Sequence, residues 1–171
     1  VKMKRKREES SDEKKLILPN PSTEQWDIIK CANPYADIKT NVVVEAVPGS
    51  GKSTLIYQFR REYPHVRMAV LTFSSKLKMK TRQDVVLYHL PPMIIQSFHS
   101  TAQDYYSVSW KDRGLIQVID FHLKPTKPFE FDVFFLDEAQ DLTFDLYQFT
   151  YKFIKDNNSK QAQLIIIGDP K

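Results

Sequence analysis

At 171 residues, 42% hydrophobic and 27% charged, the chain can bury one α/β core but is short for two domains. Its single cysteine, Cys31, excludes a disulfide framework and points to a reducing, intracellular compartment. No apolar run approaches the roughly 18 residues that span a membrane, and a net charge of +4 permits a polyanionic partner without requiring one.

Residues 1–15 are almost wholly charged or small, with Lys4-Arg5-Lys6-Arg7 followed by Glu8, Glu9, Asp12 and Glu13. Such a segment has no apolar surface to bury, so it reads as a disordered tail. The basic tetrad is a solvated charge run, a nuclear-import signal or a phosphate-binding arm. A nuclear location would rest on those four residues alone. No secretory apolar region follows, because residues 8–15 are polar.

From Leu16 onward, apolar runs alternate with helical patterns. Residues 41–47 form a β-branched strand, and residues 52–62 a helix. Residues 67–73 form a second strand, followed by a Lys-rich helical stretch over 75–83. A short strand over 93–96 leads to a helix over 99–107. Residues 111–128 are ambiguous, with 115–121 readable as strand or helix. Residues 131–136 and 163–167 are two more buried strands. Between them, residues 142–155 place apolar side chains at 142, 146, 149 and 153, on one helical face. Near-continuous apolar strands separated by helices predict an α/β fold with a parallel sheet covered on both faces.

The sharpest signal is Ala46-Val47-Pro48-Gly49-Ser50-Gly51-Lys52-Ser53-Thr54, directly after the first strand and opening a helix. Cradling a triphosphate needs close backbone N–H groups, which favours glycine at Gly49 and Gly51. The helix N-terminus adds a positive field and free donors. Lys52 can reach the β- and γ-phosphates, and the Ser53 hydroxyl can ligate Mg²⁺. These residues predict an ATP site. The general P-loop pattern opens with glycine, whereas this one opens with Ala46.

The strand over 131–136 runs into Asp137-Glu138-Ala139-Gln140-Asp141. In a parallel sheet the carboxyl ends of the strands face the ligand crevice, which would put Asp137 beside the P-loop to hold Mg²⁺. Glu138 can accept a proton from an attacking water. Two acids are needed because metal binding and base chemistry compete for the same lone pairs.

Together these elements resemble the superfamily 1 helicases of the UvrD/Rep type. Residues 46–53 match that family's alanine-first P-loop, residues 137–141 its DExQ box with Gln140 as the glutamine, and Ile167-Gly168-Asp169-Pro170 the opening of its third motif. Pro21-Ser22-Thr23-Glu24-Gln25 resembles the adenine-reading Q motif. Leu71-Thr72-Phe73-Ser74-Ser75-Lys76 resembles motif Ia, and Gln96-Ser97-Phe98-His99-Ser100 motif Ib.

The resemblance implies a RecA-like P-loop NTPase domain over residues 16–171, the first motor domain of a DNA helicase. Glu138, Lys52 and Gln140 would be catalytic, and residues 46–54 with Gln25 would bind nucleotide. Ser53 and Asp137 would hold Mg²⁺. Thr72, Phe73, Ser74, Lys76, Phe98 and His99 would contact single-stranded DNA, the two rings stacking on bases. The alternatives are Phe73 and Phe98 as core aromatics, Gln25 as a surface helix residue, and Lys76, Lys78, Lys80 and Arg82 as a solvated face.

Three departures from the family stand out. Thr54 occupies a position where many members carry an arginine. The stretch between motifs Ib and II is very short, which implies that no full 1B subdomain is present. The sequence also stops before the glutamine of motif III and before motifs IV to VI. The expectation is therefore a fragment that lacks the second RecA-like domain of the same chain, binds Mg·ATP and turns it over poorly. The competing readings are a nucleotide-dependent regulatory or partner-binding module without unwinding activity and, less in keeping with the motifs, a small-molecule kinase.

Overall fold

Strand and helix alternate from residue 42 to residue 168 in the computed structural model, which describes residues 16–159 and 161–170. The tail expected over residues 1–15, with its basic tetrad, lies outside the described residues. The elements run α1 (Thr23–Cys31), β1 (Val42–Glu45), α2 (Lys52–Glu62), β2 (Met68–Thr72), α3 (Ser75–Leu87) and β3 (Ile94–Ser97). They continue with α4 (Phe98–Tyr106), α5 (Asp112–Asp120), β4 (Val133–Leu136), α6 (Phe144–Lys155) and β5 (Gln163–Gly168).

All strand pairs are parallel, in the order β1-β5-β4-β2-β3. The α/β parallel sheet expected from the sequence is therefore what forms. Its strands alternate between two apolar layers. Val44, Val70, Phe135 and Ile165 point to the layer shared with Leu55, Ile56 and Phe59 of α2 and Ile29 of α1. Leu71, Phe134 and Leu136 point to the opposite layer, with Phe98 and Ala102 of α4, Leu115 and Val118 of α5, and Phe149 and Phe153 of α6. Each fully buried large apolar side chain contributes roughly 1.5–3 kcal/mol of transfer free energy, and both layers are built from such residues.

Local signals start the helices. Ser22 caps α1 in a reciprocal box with Gln25, whose N–H donates to Ser22 Oγ at 3.2 Å while Ser22 N–H donates to Gln25 Oε1 at 2.9 Å. Ser74, Ser97 and Thr143 cap α3, α4 and α6 in the same sense.

The ambiguous stretch resolves as helix α5. Gly114 lets it form, because a Cβ there would lie 1.8 Å from the Ser109 carbonyl oxygen. Helix α3 extends four residues past the expected end at 83, since Val85 turns inward and is buried. The buried guanidinium of Arg60, at the end of α2, donates to the carbonyls of Tyr63, Pro64, Val66 and Pro91. It thereby ties α2 to the chain entering β2 and β3.

Candidate nucleotide site

Because all five strands are parallel, their carboxyl ends share one edge of the sheet, and the chemistry-bearing residues gather there. Ala46 N–H donates to the Gly168 carbonyl at 3.0 Å, and Asp137 N–H to the Leu71 carbonyl at 3.1 Å. These bonds hold the P-loop, Asp137 and Asp169 at one level.

Gly49 and Gly51 have φ of 79° and 88°, in the left-handed region that glycine adopts without strain. Gly51 is also the N-cap of α2 and offers no side-chain cap, so the first-turn N–H groups remain available to an anion. Pro48, Gly49, Gly51, Lys52, Ser53, Thr54, Glu138 and Asp169 line a cavity of about 390 Å³. A neighbouring cavity of about 270 Å³ is lined by Gln25, Ile28, Ala46, Val47, Ser50 and Leu55, among others. The two are lined in common by Gly51 and Lys52. A phosphate-sized basin next to a partly apolar pocket suits the two ends of a nucleotide.

Lys52 has only 9% of its side chain exposed. Its ammonium lies 3.1 Å from Glu138 Oε2 and is also hydrogen-bonded to Asp169 Oδ1. Burial alone would lower its pKa, but these two carboxylates outweigh it and hold the ammonium above its ordinary value. Gln140 joins the same network, donating from Nε2 to Glu138 Oε2 at 2.6 Å and accepting from Asp169 N–H at 3.0 Å. Glu138 itself takes φ 57° and ψ 43°, a left-handed conformation that is costly for a side-chain-bearing residue. That backbone turn lets Glu138 and Asp137 depart in different directions from the end of β4.

Asp137 is 5% exposed and pushed up to about 6, first by burial and then by the neighbouring Glu138 charge. Its Oδ1 accepts the Glu138 N–H at 3.0 Å. Among the described residues no group of three or more His, Cys, Asp or Glu gathers into a metal cage. With Glu138 and Asp169 engaged by Lys52, the donors left are the Ser53 hydroxyl in the phosphate cavity and the buried Asp137 carboxylate, which lines neither cavity. That set fits Mg²⁺, which takes one or two protein oxygens and completes its octahedron with phosphate and water.

Strand β5 lies between β1, which leads into the P-loop, and β4, which ends at Asp137, and so carries Asp169 between the two motifs. Asp169 is the site residue that motif reading left without a role. Its signal was present, as an acid directly after an apolar strand, the same signature that singled out Asp137.

Gln25 does reach the pocket, but its amide is already engaged. Oε1 accepts from Ser22 N–H, and Nε2 donates to the Gly51 carbonyl at 3.4 Å. Of the residues expected to meet a nucleic-acid strand, Phe98 is 1% exposed within the second apolar layer. It cannot stack on a base without leaving the core, which corrects the expectation made for it. The helix α4 that follows β3 turns the ring inward beneath the sheet edge. Thr72 is likewise buried, and its hydroxyl donates to the Ser74 carbonyl at 3.3 Å.

Phe73 is half-buried, packed edge-on against Phe98 at 4.9 Å between ring centres. Ser74 is occupied in capping α3, Lys76 is exposed, and His99 Nε2 lies 2.7 Å from Asp112 Oδ1. Of that set, Phe73, Ser74, Lys76 and His99 retain an accessible surface.

A family model described as an AAA domain matches residues 32–171. That span takes in β1 through β5, and with them the phosphate loop, the acidic pair and Asp169. No curated protein matches the chain. No described helix is long and apolar enough to cross a membrane.

Proposed function

Because this chain belongs to the AAA-domain family of P-loop NTPases, we propose that it binds Mg·ATP in the paired cavities at the sheet edge and hydrolyses it as the first motor domain of a DNA helicase. The observation that carries the reading is Lys52, placed over the glycine cradle with Glu138 and Asp169 at its ammonium. Lys52 and the α2 N-terminus would hold the β- and γ-phosphates, and the Ser53 and Asp137 oxygens would hold Mg²⁺. The ion offsets charge on the phosphates and orients them. Glu138 would take the proton of the attacking water, with Gln140 fixing the carboxylate through its 2.6 Å bond.

A single DNA strand would cross the ends of β2 and β3, touching Phe73, Lys76 and His99. Translocation would need a second RecA-like domain, whose arginines would meet the transition-state charge. ATP turnover by the native protein, measured with and without oligothymidine, tests the reading. Stimulation by the strand supports a motor. Turnover indifferent to DNA, with nucleotide binding intact, would favour the regulatory module instead.

A further inference from the structure

Helix α6 buries one face in the second layer through Phe149 and Phe153, so its opposite face should be charged or polar. It is not. Phe144, Tyr147 and Tyr151 are 71%, 54% and 54% exposed, at spacings of three and four that align them in one stripe. With Ile119 from the end of α5, His122 just beyond it and Lys155 from the last turn of α6, they line a cavity of about 550 Å³. Phe121 adds a 69% exposed ring just after α5. Isolated exposed rings are ordinary, but rings aligned along one groove mark a binding surface.

The charges select the partner. Lys152 and Asp156 are 2.7 Å apart and Asp156 also accepts the Tyr106 hydroxyl, so that pair is satisfied internally. Lys155 lies over the Tyr151 ring at 4.9 Å and has no carboxylate within ion-pair distance among the described residues. A second cavity meets the groove at Asp156 and brings Lys124 and Lys127 to its rim. Among the described residues Lys124, Lys127 and Lys155 have no ion-pair partner and outnumber exposed Asp120 of α5, whereas Asp145 is the carboxylate in the first turn of α6.

We propose that this groove docks an amphipathic helical segment of a partner protein, with apolar anchors on one face and Asp or Glu at the end meeting Lys155. From Phe144 to Lys155 the stripe runs roughly 16 Å along the helix, about three turns, the length over which a docked helix presents anchors at i, i+3 or i+4, and i+7. A nucleic-acid strand is the poorer fit. It would need cationic contacts along its whole length, whereas the middle of the groove is aromatic. The groove shares no lining residue with the nucleotide site, and the proposal does not depend on how that site is read.

The test is selection of a displayed library of randomised helices, each about 16 residues long, on this chain, followed by fluorescence polarisation of the enriched peptides. The enriched sequences should share apolar anchors at helical spacing and carry net negative charge. Their affinity should fall about tenfold or more with Tyr147→Ser, Tyr151→Ser or Lys155→Glu, and stay unchanged with Lys52→Ala. Lys155→Glu should regain binding when the peptide's acids are changed to lysine, a rescue that misfolding cannot mimic. Any of four results overturns the proposal: no enrichment, binding that survives the groove variants, tighter binding of oligothymidine than of peptide in the groove, or self-association of the chain abolished by Tyr147→Ser.

Discussion

The ammonium of Lys52 bonds the carboxylates of Glu138 and Asp169, residues 86 and 117 positions away along the chain. The same lysine must reach the phosphates of a bound nucleotide, so nucleotide and carboxylates compete for one cation. Lys52→Ala should weaken binding of a fluorescent ATP analogue by about 1.5–3 kcal/mol, on the order of 10–100-fold. Asp169→Asn removes one competitor and should tighten binding of the same analogue. Weaker binding in that variant would mean that Asp169 supports the bound state and does not compete with it.

Glu138→Gln should separate binding from chemistry. The amide retains the shape of the side chain but cannot accept a proton. Analogue affinity should stay within a few-fold of the parent, while single-turnover hydrolysis falls on the order of 10²–10⁴. Equal loss of both would assign Glu138 to binding. Gln140→Ala leaves Glu138 Oε2 to Lys52 alone and frees the Asp169 N–H, and should lower kcat more than it raises KM.

The protonation of Asp137 sets a pH dependence. Its carboxyl titrates near 3.8 when unfolded and at about 6 in the fold. The folded chain thus binds more protons across that window, and this contribution to stability, full below about 4, is lost as pH rises through about 6. Asp137→Asn should therefore raise the thermal midpoint at neutral pH in the absence of metal, by roughly 2–4 °C per kcal/mol recovered. Mg²⁺ needs the ionised form, so Mg-dependent nucleotide affinity should fall as pH drops below about 6 in the parent. A pH-independent metal requirement between pH 5 and 8 would sink this account of Asp137.

The two aromatics at the ends of β2 and β3 should behave differently. Phe98→Ala removes a ring from the core and should cost about 3–5 kcal/mol in denaturant unfolding. Phe73→Ala should cost less stability, because the ring is only half-buried. If Phe73 stacks on a base, single-strand affinity should drop by about 1–3 kcal/mol, read at a temperature where both proteins are folded. Unchanged affinity in Phe73→Ala would remove the stacking role.

Gly114→Ala probes the join between α4 and α5. A methyl group 1.8 Å from the Ser109 carbonyl forces backbone to move, since no flexible side chain is there to yield. Overpacking of this kind typically costs about 1–3 kcal/mol. Nucleotide affinity should be unchanged below the melting transition, because the join lies outside the nucleotide cavities.

Much of the fold was legible because its signals are local. Strand hydrophobicity, the glycines and lysine of the phosphate loop and the serine caps each report on a few neighbouring residues. The five strands therefore appear within a few residues of their expected positions. Helix α1 was not read from periodicity. It announces itself only through the Ser22–Gln25 capping box, and its buried contact is essentially Ile29. Helix α5 was undecidable from 115–121 alone, because a short apolar run suits either period. Its identity depends on Gly114 meeting Ser109.

The sequence by itself determined the parallel α/β class, the phosphate loop at residues 46–54 and an acidic pair at a strand end, because each follows from residue type and short-range spacing. Tertiary structure alone decided that β5 separates β1 from β4 and carries Asp169 to Lys52, since strand order is set by pairings between distant segments. It also decided that Phe98 belongs to the core while Phe73 keeps a surface, and that the Gln25 amide is already bonded. The aromatic face of α6 was hidden for the same reason. Helical periodicity shows that Phe144, Tyr147 and Tyr151 share a side, but only packing shows that this side is left uncovered.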